Sequence, residues 1–378
     1  SGKSDLAFFD RASPHKGLQT IPTNLGRINK IIGYFNNHVY VTGWHTDPTT
    51  QDLIQVSLDK GMSEIITNSD AWHEVTLDQN TLKSASLVSG ATQPLSVMGI
   101  DIVTKKITRI YDNRIAPGHP YFPFLDSHVD SRIGEIKIDD VNLIYRLTPP
   151  SKIEEKVSYP VIVNVYGGPG VQRVKRDWAP LTNQLFAQNG YGVFELDNRG
   201  GGNRDKAFRD VLFGQLGNIE VKDQLAGVEF LKTIPWVDPK RIGLLGHSYG
   251  GYMTLMCLCK ASDTFAAGVS IAPVVNWKLY DTHYTERYLG KPNTNNKAYV
   301  NSGIEAYIDQ LDKPLLLIHG MADDNVQFSN TTVLMKALQD QGNIFQLMTY
   351  PGSKHSLQEP SVATHRYQTT LNFFKSYL

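Results

Sequence analysis

A serine flanked by glycines lies at the centre of residues 241–256, Arg-Ile-Gly-Leu-Leu-Gly-His-Ser-Tyr-Gly-Gly-Tyr-Met-Thr-Leu-Met. Residues 246–250 match the G-x-S-x-G pattern, in which a sharp turn between a strand and a helix exposes a nucleophilic serine. Ile242 to Leu245 are apolar and predict a buried strand before this turn, and the apolar residues that follow predict a helix. Glycine suits the flanking positions because side chains there would collide with neighbouring backbone. Ser248 is therefore a candidate nucleophile, and the alternative is a glycine-rich turn without chemistry.

A serine hydroxyl is a weak nucleophile near neutral pH, so it needs a base to accept its proton and a carboxylate to orient that base. In α/β-hydrolases the acid and the base follow the serine in the order Asp, His, in loops after later strands. The apolar run at 315–319 is followed by Asp323, and the run at 345–350 is followed by His355. Asp323 and His355 are therefore the candidate acid and base.

Two neighbouring residues compete for these roles. Asp324 is adjacent to Asp323, and spacing alone does not choose between the two carboxylates. His319 could serve as the base, but it ends a predicted strand, whereas the base of this fold lies in the loop after the last strand. The remaining histidines show no metal-binding spacing such as H-E-x-x-H. The pattern implies serine chemistry that needs no metal or organic cofactor.

The negative oxygen of a tetrahedral intermediate needs two hydrogen-bond donors aimed at it. The backbone N–H of Tyr249 supplies one donor from the turn itself. The second should come from the loop after the predicted strand at 161–165, which reads Tyr166-Gly167-Gly168-Pro169-Gly170. Its glycines allow close approach to a substrate, and the Tyr166 hydroxyl is the candidate second donor.

The elements that would position these residues begin at about residue 131, where predicted strands and helices start to alternate. We expect strands at Ile136 to Leu147, Val161 to Tyr166, Gly192 to Leu196, Ile242 to Leu245, Ala267 to Ile271, Leu315 to His319 and Phe345 to Tyr350. We expect helices at about 179–189, 221–233, 249–261, 328–341 and 361–377. This alternation is typical of a mainly parallel α/β sheet and predicts an α/β-hydrolase domain over residues 131–378.

Residues 1–112 instead contain short alternating runs separated by turn signals, which predict antiparallel meanders. Two similar units, at about 28–68 and 70–112, are each large enough for one four-stranded β-propeller blade. Residues 113–130 contain three prolines and are interpreted as a linker.

Composition limits the partners and the class of protein. Lys+Arg 37 balance Asp+Glu 37 in a chain of 378 residues, and this net charge of zero argues against nucleic acid or an anionic membrane as the main partner. No apolar run reaches the ~18 residues that a membrane-spanning helix needs. Cys257 and Cys259 are two apart on a predicted helix, so they point to different sides and are predicted to be buried thiols.

Five stretches of residues 131–378 carry a specific pattern: Val165-Tyr166-Gly167-Gly168-Pro169, Asp197-Asn198-Arg199-Gly200, Gly246-His247-Ser248-Tyr249-Gly250-Gly251, Tyr284-Thr285-Glu286-Arg287-Tyr288 and His319-Gly320-Met321-Ala322-Asp323-Asp324-Asn325-Val326. Together they resemble the catalytic domain of the prolyl oligopeptidase family, and most closely its dipeptidyl peptidase IV branch. This resemblance implies that Ser248, Asp323 and His355 form a triad, with Tyr166 and the N–H of Tyr249 as oxyanion donors.

The resemblance also implies a pocket for a proline side chain, in which Asn325 binds the substrate carbonyl. An aromatic wall suits a rigid apolar ring. The pocket residues carried over by position are Tyr249, Val274, Trp277, Tyr280, Tyr284 and Val326.

Two features depart from the pattern of this branch. His247 stands where the branch usually carries Trp, which affects the finer specificity. The branch also binds the free amine of its substrate through paired glutamates, assisted by an arginine, in earlier propeller blades, whereas residues 1–112 resemble only the last two blades.

We therefore expect this chain to react at Ser248 with a fluorophosphonate but to cleave X-Pro anilides poorly, with little preference for a free amino terminus. An open sheet edge also favours self-association, so a homo-oligomer is expected.

The sequence thus predicts a serine peptidase that hydrolyses short peptides after proline or alanine. An acylaminoacyl peptidase or an esterase would share the same triad and fold, and these activities remain alternatives. A non-enzymatic interaction protein is a further alternative, although the intact residues Ser248, Asp323 and His355 argue against it. The resemblance favours a periplasmic or secreted protein over a cytoplasmic one.

Overall fold

The computed structural model describes residues 5–9, 11–67 and 70–378, which divide into two units. The first unit contains the described residues up to His128 together with Val174–Pro180 and Asn203–Ala207. The second unit contains Val129–Arg173, Leu181–Gly202 and Phe208–Leu378. All the candidate site residues belong to the second unit.

The first unit is built from antiparallel strands. A short pair comes first, β1 (Leu6–Phe9) and β2 (Leu18–Ile21). One four-stranded sheet then contains β3 (Arg27–Phe35), β4 (His38–Trp44), β5 (Asp52–Ser57) and β6 (Ser63–Ile65). A second contains β7 (Ala71–Asp78), β8 (Lys83–Gly90), β9 (Gln93–Asp101) and β10 (Ile107–Tyr111). In both sheets each strand pairs with the next one in sequence, which confirms the predicted antiparallel segments of two blade-like meanders.

Local sequence explains these meanders. Asn36 and Asn37 connect β3 to β4 with φ of 45° and 61°, and asparagine tolerates this left-handed backbone better than most residues. In β7 the side chains of Ala71, His73 and Val75 are buried while Glu74 is exposed, the alternation expected of a strand with one face on a core. A short 3₁₀ helix at Phe122–Ser127 follows the second sheet.

The second unit alternates strands and helices. Its strands are β11 (Arg132–Ile138), β12 (Val141–Thr148), β13 (Tyr159–Val165), β14 (Gly192–Asp197), β15 (Val237–His247), β16 (Ala267–Ile271), β17 (Leu315–Gly320) and β18 (Gln346–Tyr350). The α-helices of this half of the chain are α1 (Leu181–Gln188), α2 (Lys206–Asp210), α3 (Ile219–Leu231), α4 (Tyr249–Lys260), α5 (Thr282–Leu289), α6 (Asn296–Ser302), α7 (Ser329–Asp340) and α8 (Pro360–Tyr377). Among the described residues, no helix is both long enough and apolar enough to cross a bilayer.

These strands form one eight-stranded sheet in the order β11-β12-β14-β13-β15-β16-β17-β18. The strands from β14 to β18 in this order are parallel, and β11 and β12 add antiparallel pairs at one edge. Helices cover both faces of the sheet, so each face carries its own buried apolar cluster. Successive residues of a strand point to opposite faces, and Leu244 and Leu245 of β15 accordingly belong to different clusters. This arrangement confirms the predicted α/β-hydrolase fold, with antiparallel segments before it.

Some predicted elements were wrong in detail. The strand expected at Ile136 to Leu147 is a hairpin of β11 and β12, because the chain turns at Asp139, whose φ is 53°. Helices α2, α5 and α6 were not predicted. Cys257 and Cys259 are buried free thiols on α4, in agreement with the prediction.

Candidate active site

Ser248 lies in a strained turn between β15 and α4. Its φ is 62° and its ψ is −121°, a backbone conformation that residues other than glycine rarely adopt. A Cβ on Gly246 would lie 2.0 Å from the carbonyl oxygen of Gly250, and a Cβ on Gly250 would lie 2.2 Å from that of Val165. Glycine is therefore required at both positions for the turn to close and to pack against the end of β13.

Asp323 and His355 meet at the end of the sheet. Asp323 lies in the loop after β17 and His355 in the loop after β18, and the Nδ1 of His355 is 2.7 Å from the Oδ2 of Asp323. Because the carboxylate accepts a hydrogen bond there, His355 carries its proton on Nδ1, and Nε2 is the nitrogen that can accept another. Asp324 instead forms an exposed ion pair with Lys354 at 2.7 Å.

The carboxylate of Asp323 is buried and accepts four hydrogen bonds. The backbone N–H groups of Asn325 and Val326 each lie 2.9 Å from Oδ1, and the Nε2 of His319 lies 3.1 Å from Oδ2 beside His355. Burial alone would raise the pKa of Asp323, but the hydrogen bonds from His319, His355 and Asn325 hold that pKa well below its usual range. Asp323 is therefore ionised at neutral pH.

His319 is fully buried and supports the acid. Its Nδ1 is 2.7 Å from the hydroxyl of Thr331, and its Nε2 is 2.8 Å from the carbonyl oxygen of Val326 as well as 3.1 Å from Asp323. With both ring nitrogens engaged in the core, His319 orients the carboxylate and offers no nitrogen to a substrate.

His247 packs against the candidate base. Its Nε2 is 2.8 Å from the carbonyl oxygen of His355, and the two ring centroids are 4.9 Å apart. Burial lowers the pKa of His247 to about 4, with contributions from the nearby charges of His355 and Arg366, so its imidazole is neutral at pH 7. This contact brings His355 beside the residue that precedes Ser248.

Aromatic rings cluster around Tyr249, the residue that follows Ser248. Trp277 and Tyr284 stack with centroids 6.1 Å apart, and Tyr249 lies 5.7 Å from Trp277. Tyr280 lies 5.4 Å from Tyr284, and its hydroxyl donates to the Oδ1 of Asn325 at 3.0 Å. Val274 and Val326 are buried in the same apolar cluster as these rings. The structure thus brings together the residues carried over as a proline pocket.

Tyr166 begins the loop after β13 and joins this cluster, with its ring centroid 6.2 Å from that of Tyr249. A Cβ on Gly168 would lie 2.6 Å from the Tyr166 ring and 3.0 Å from Tyr249, so this glycine lets the loop lie against α4. Burial raises the pKa of Tyr166, which keeps its hydroxyl protonated at neutral pH.

One supporting residue had no signal in the sequence. Glu220 on α3 is fully buried, accepts a hydrogen bond of 2.6 Å from the hydroxyl of Tyr249, and also accepts the N–H groups of Gly217 and Asn218. Burial raises the pKa of Glu220 despite these hydrogen bonds. By fixing the Tyr249 ring, Glu220 stabilises one wall of the aromatic cluster.

Several known proteins are similar to this chain. A model of the prolyl oligopeptidase family matches residues 178–378, more than half of the chain. Human dipeptidyl peptidase 8 is 35% identical over 226 residues, which cover 58% of this chain and 25% of that protein. Prolyl endopeptidase FAP of Bos taurus is 35% identical over 249 residues, which cover 64% of this chain and 32% of that protein.

A solved structure is similar over nearly the whole chain. The dipeptidyl peptidase 4 of Porphyromonas gingivalis superposes with a TM-score of 0.91 and 28% identity, covering 99% of this chain and 53% of that protein. This chain therefore spans about a quarter to a third of the two curated relatives and about half of the solved one. Since the family model matches more than half of its residues, the chain belongs to the prolyl oligopeptidase family.

Proposed function

We propose that this chain is a serine peptidase of the dipeptidyl peptidase IV type, which hydrolyses peptide bonds after proline or alanine through Ser248, His355 and Asp323. The proposal rests on the strained turn at Ser248 together with the 2.7 Å contact between His355 and Asp323 in the loops after β17 and β18. Dipeptidyl peptidases among the relatives support it. Because the chain spans only part of those relatives, their activity is a proposal for this chain.

In the first step His355 Nε2 accepts the proton of the Ser248 hydroxyl while its oxygen attacks the carbonyl carbon of the scissile bond. Ionised Asp323 stabilises the imidazolium that forms and keeps its orientation. His355 then donates this proton to the departing amine nitrogen, which leaves an acyl-enzyme ester on Ser248. A water molecule hydrolyses this ester by the same proton transfers.

The oxyanion of each tetrahedral intermediate would be bound by the N–H of Tyr249 and the hydroxyl of Tyr166. The first comes from the start of α4, and the second from the loop that Gly168 allows to pack against Tyr249. The raised pKa of Tyr166 suits a hydroxyl that must remain a donor. One such donor contributes about 2.7–4 kcal/mol to the stability of the transition state.

The side chain before the scissile bond would enter the aromatic cluster, where Trp277 and Tyr284 offer flat apolar surfaces to a proline ring. Because Tyr280 donates to the Oδ1 of Asn325, the amide nitrogen of Asn325 remains as a donor for a substrate carbonyl. A rigid ring loses little conformational entropy in such a slot, which favours proline over flexible side chains.

The first test replaces the nucleophile. Ser248→Ala should lower kcat on Gly-Pro-anilide by about six orders of magnitude, because the triad acts as one unit. It should also abolish labelling by a fluorophosphonate, read by the mass of the intact protein. Ser361→Ala, an exposed serine on α8, is the matched control and should leave both unchanged. Turnover or labelling that survives in Ser248→Ala would disprove the serine mechanism.

The second test separates the substrate classes. Wild-type rates are compared on Gly-Pro-anilide, Gly-Leu-anilide, an N-acylated alanine anilide and a simple acyl ester. We expect the highest kcat/KM on Gly-Pro-anilide. Fast ester or N-acyl turnover without cleavage of Gly-Pro-anilide would favour an esterase or acylaminoacyl peptidase on the same fold.

A further inference from the structure

A cavity lies next to His247, the residue before Ser248, and shares no lining residue with the aromatic cluster. It has a volume of about 260 Å³ and is lined by residues from the ends of β13, β15 and β16, from α1 and α8, and from the loops beside them. The polar part of its wall includes Asn164, Arg173, Thr182, His247, Gln358 and Arg366. The triad mechanism uses none of these side chains.

Arg366 on α8 is the unusual member of this wall. Its side chain is 4% exposed, and its Nε and Nη2 atoms are buried without a hydrogen-bond partner among the described residues. Its guanidinium carbon lies 4.6 Å over the ring of Tyr367. A guanidinium stays protonated in proteins, so its burial is unfavourable unless an anion or other acceptors satisfy its N–H groups.

The rest of the cavity does not supply that negative charge. Of the described residues that line it, none is an aspartate or a glutamate. Arg173 is a second cation, and its Nη2 already pairs with the buried carboxylate of Glu195 at 2.8 Å. Burial, with smaller contributions from the nearby charges of His355 and Arg366, lowers the pKa of His247 and keeps its imidazole neutral at pH 7. The site therefore has an excess of positive charge and several neutral hydrogen-bonding groups.

The position of the cavity connects it to the candidate triad. His247 forms part of the wall, immediately precedes Ser248 and contacts the carbonyl oxygen of His355 at 2.8 Å. An occupant of the cavity would lie next to the strand end that carries the nucleophile.

We propose that this cavity binds one small carboxylate or inorganic oxyanion through Arg366. A volume of about 260 Å³ suits such an anion, and a planar guanidinium matches the two oxygens of a carboxylate. Two kinds of molecule carry such an anionic group: the leaving part of a peptide substrate, which ends in a carboxylate, and a free anion such as phosphate. Binding of the free anion does not depend on the proposed function, whereas the substrate source rests on it.

The first experiment measures binding without catalysis. The full chain is titrated calorimetrically with inorganic phosphate and with acetate at constant ionic strength. We expect one saturable site in the wild type, at least 10-fold weaker binding in Arg366→Met, and partial retention in Arg366→Lys, which keeps the charge. Arg209→Met removes an exposed arginine on α2 and should bind like the wild type.

If Arg366→Met does not fold, wild-type crystals soaked in bromide should show an anomalous peak within reach of Arg366. Wild-type protein without saturable binding of either anion, binding undiminished in folded Arg366→Met, or a bromide peak only elsewhere would each overturn the proposal.

The second experiment identifies the source. The kcat/KM values of Gly-Pro-Xaa peptides with a free carboxylate are compared with those of the corresponding amides. A preference of at least 10-fold for the free acid that disappears in Arg366→Met, while phosphate competes, would identify the substrate carboxylate. Phosphate binding without such a preference would identify a free anion. Phosphate binding in a protein that cleaves neither peptide would support the anion site and reject the proposed function.

Discussion

Replacing Asp323 with asparagine should disable the candidate base without removing any atom from its surroundings. The two carboxylate oxygens accept four hydrogen bonds, two from backbone N–H groups on Oδ1 and two from His319 and His355 on Oδ2. Asparagine has only one acceptor oxygen, so its NH₂ group must face one of these pairs of donors. The backbone N–H groups cannot change, and the amide oxygen will stay with them. The NH₂ group then faces the two histidine rings.

The consequence is a change of tautomer at His355. Because the Nδ1 of His355 then faces an NH₂ donor, Nδ1 must act as the acceptor, and the ring proton moves to Nε2. Nε2 is the nitrogen that should accept the proton of Ser248, so the base is blocked. The same substitution in a chymotrypsin-like peptidase lowers kcat about 10⁴-fold for this reason. At about 1.36 kcal/mol per decade, this is about 5.4 kcal/mol of lost transition-state stabilisation. His319 is affected less because it keeps its 2.8 Å hydrogen bond to the carbonyl oxygen of Val326.

The assay measures kcat and KM on Gly-Pro-anilide and reads the tautomer of His355 from ¹⁵N chemical shifts. We expect kcat to fall about 10⁴-fold with little change in KM. Asp324→Asn is the matched control, because the neighbouring carboxylate is exposed and pairs only with Lys354 among its described ion-pair contacts, so kcat should change less than about twofold. A folded Asp323→Asn variant that keeps kcat within about tenfold, or an equal loss in Asp324→Asn, would refute this reasoning.

Two further substitutions test the oxyanion donor and the base. Tyr166→Phe deletes only the hydroxyl and should lower kcat by about 10²–10³ with little change in KM; an unchanged kcat would move the second donor to a backbone N–H of Gly167 or Gly168. His355→Ala should lower kcat as far as loss of Ser248 does, whereas His319→Ala should chiefly lower the thermal midpoint, since His319 lies in the core. Enzyme kinetics and thermal unfolding are measured for His355→Ala and His319→Ala. A folded His319→Ala variant without activity, beside an active His355→Ala variant, would show that His319 is the base.

The features that the sequence predicts well are those determined by short-range contacts. The glycines around Ser248 reflect steric contacts within a few residues, such as the 2.0 Å approach that a Cβ on Gly246 would make to Gly250. The apolar runs of β15, β17 and β18 predict parallel strands, and parallel strands end at the same edge of a sheet. The proximity of the loops that carry Asp323 and His355 therefore follows from the order of these strands in the sequence.

Contacts between distant residues are not encoded in such patterns. His247 and His355 are 108 positions apart, and the hydrogen bond between them depends on how two loops pack. Glu220 and Arg366 lie on helices, where charged residues usually face solvent, yet both are buried. The turn at Asp139 was missed for a related reason, since a pair of aspartates inside an alternating run resembles the exposed positions of one continuous strand.

The contacts that hold the strained backbone of Ser248 also position the loop that begins at Tyr166. The left-handed backbone of Ser248 is unfavourable by about 1–3 kcal/mol and persists because its surroundings over-determine it. Its N–H donates to the carbonyl oxygen of Ile271 at 2.8 Å, and α4 is buried from Tyr249 to Cys259. Gly250 approaches the carbonyl of Val165, the residue directly before Tyr166. The turn that exposes the serine and the loop that carries the second oxyanion donor therefore share one backbone contact, so neither can shift without moving the other.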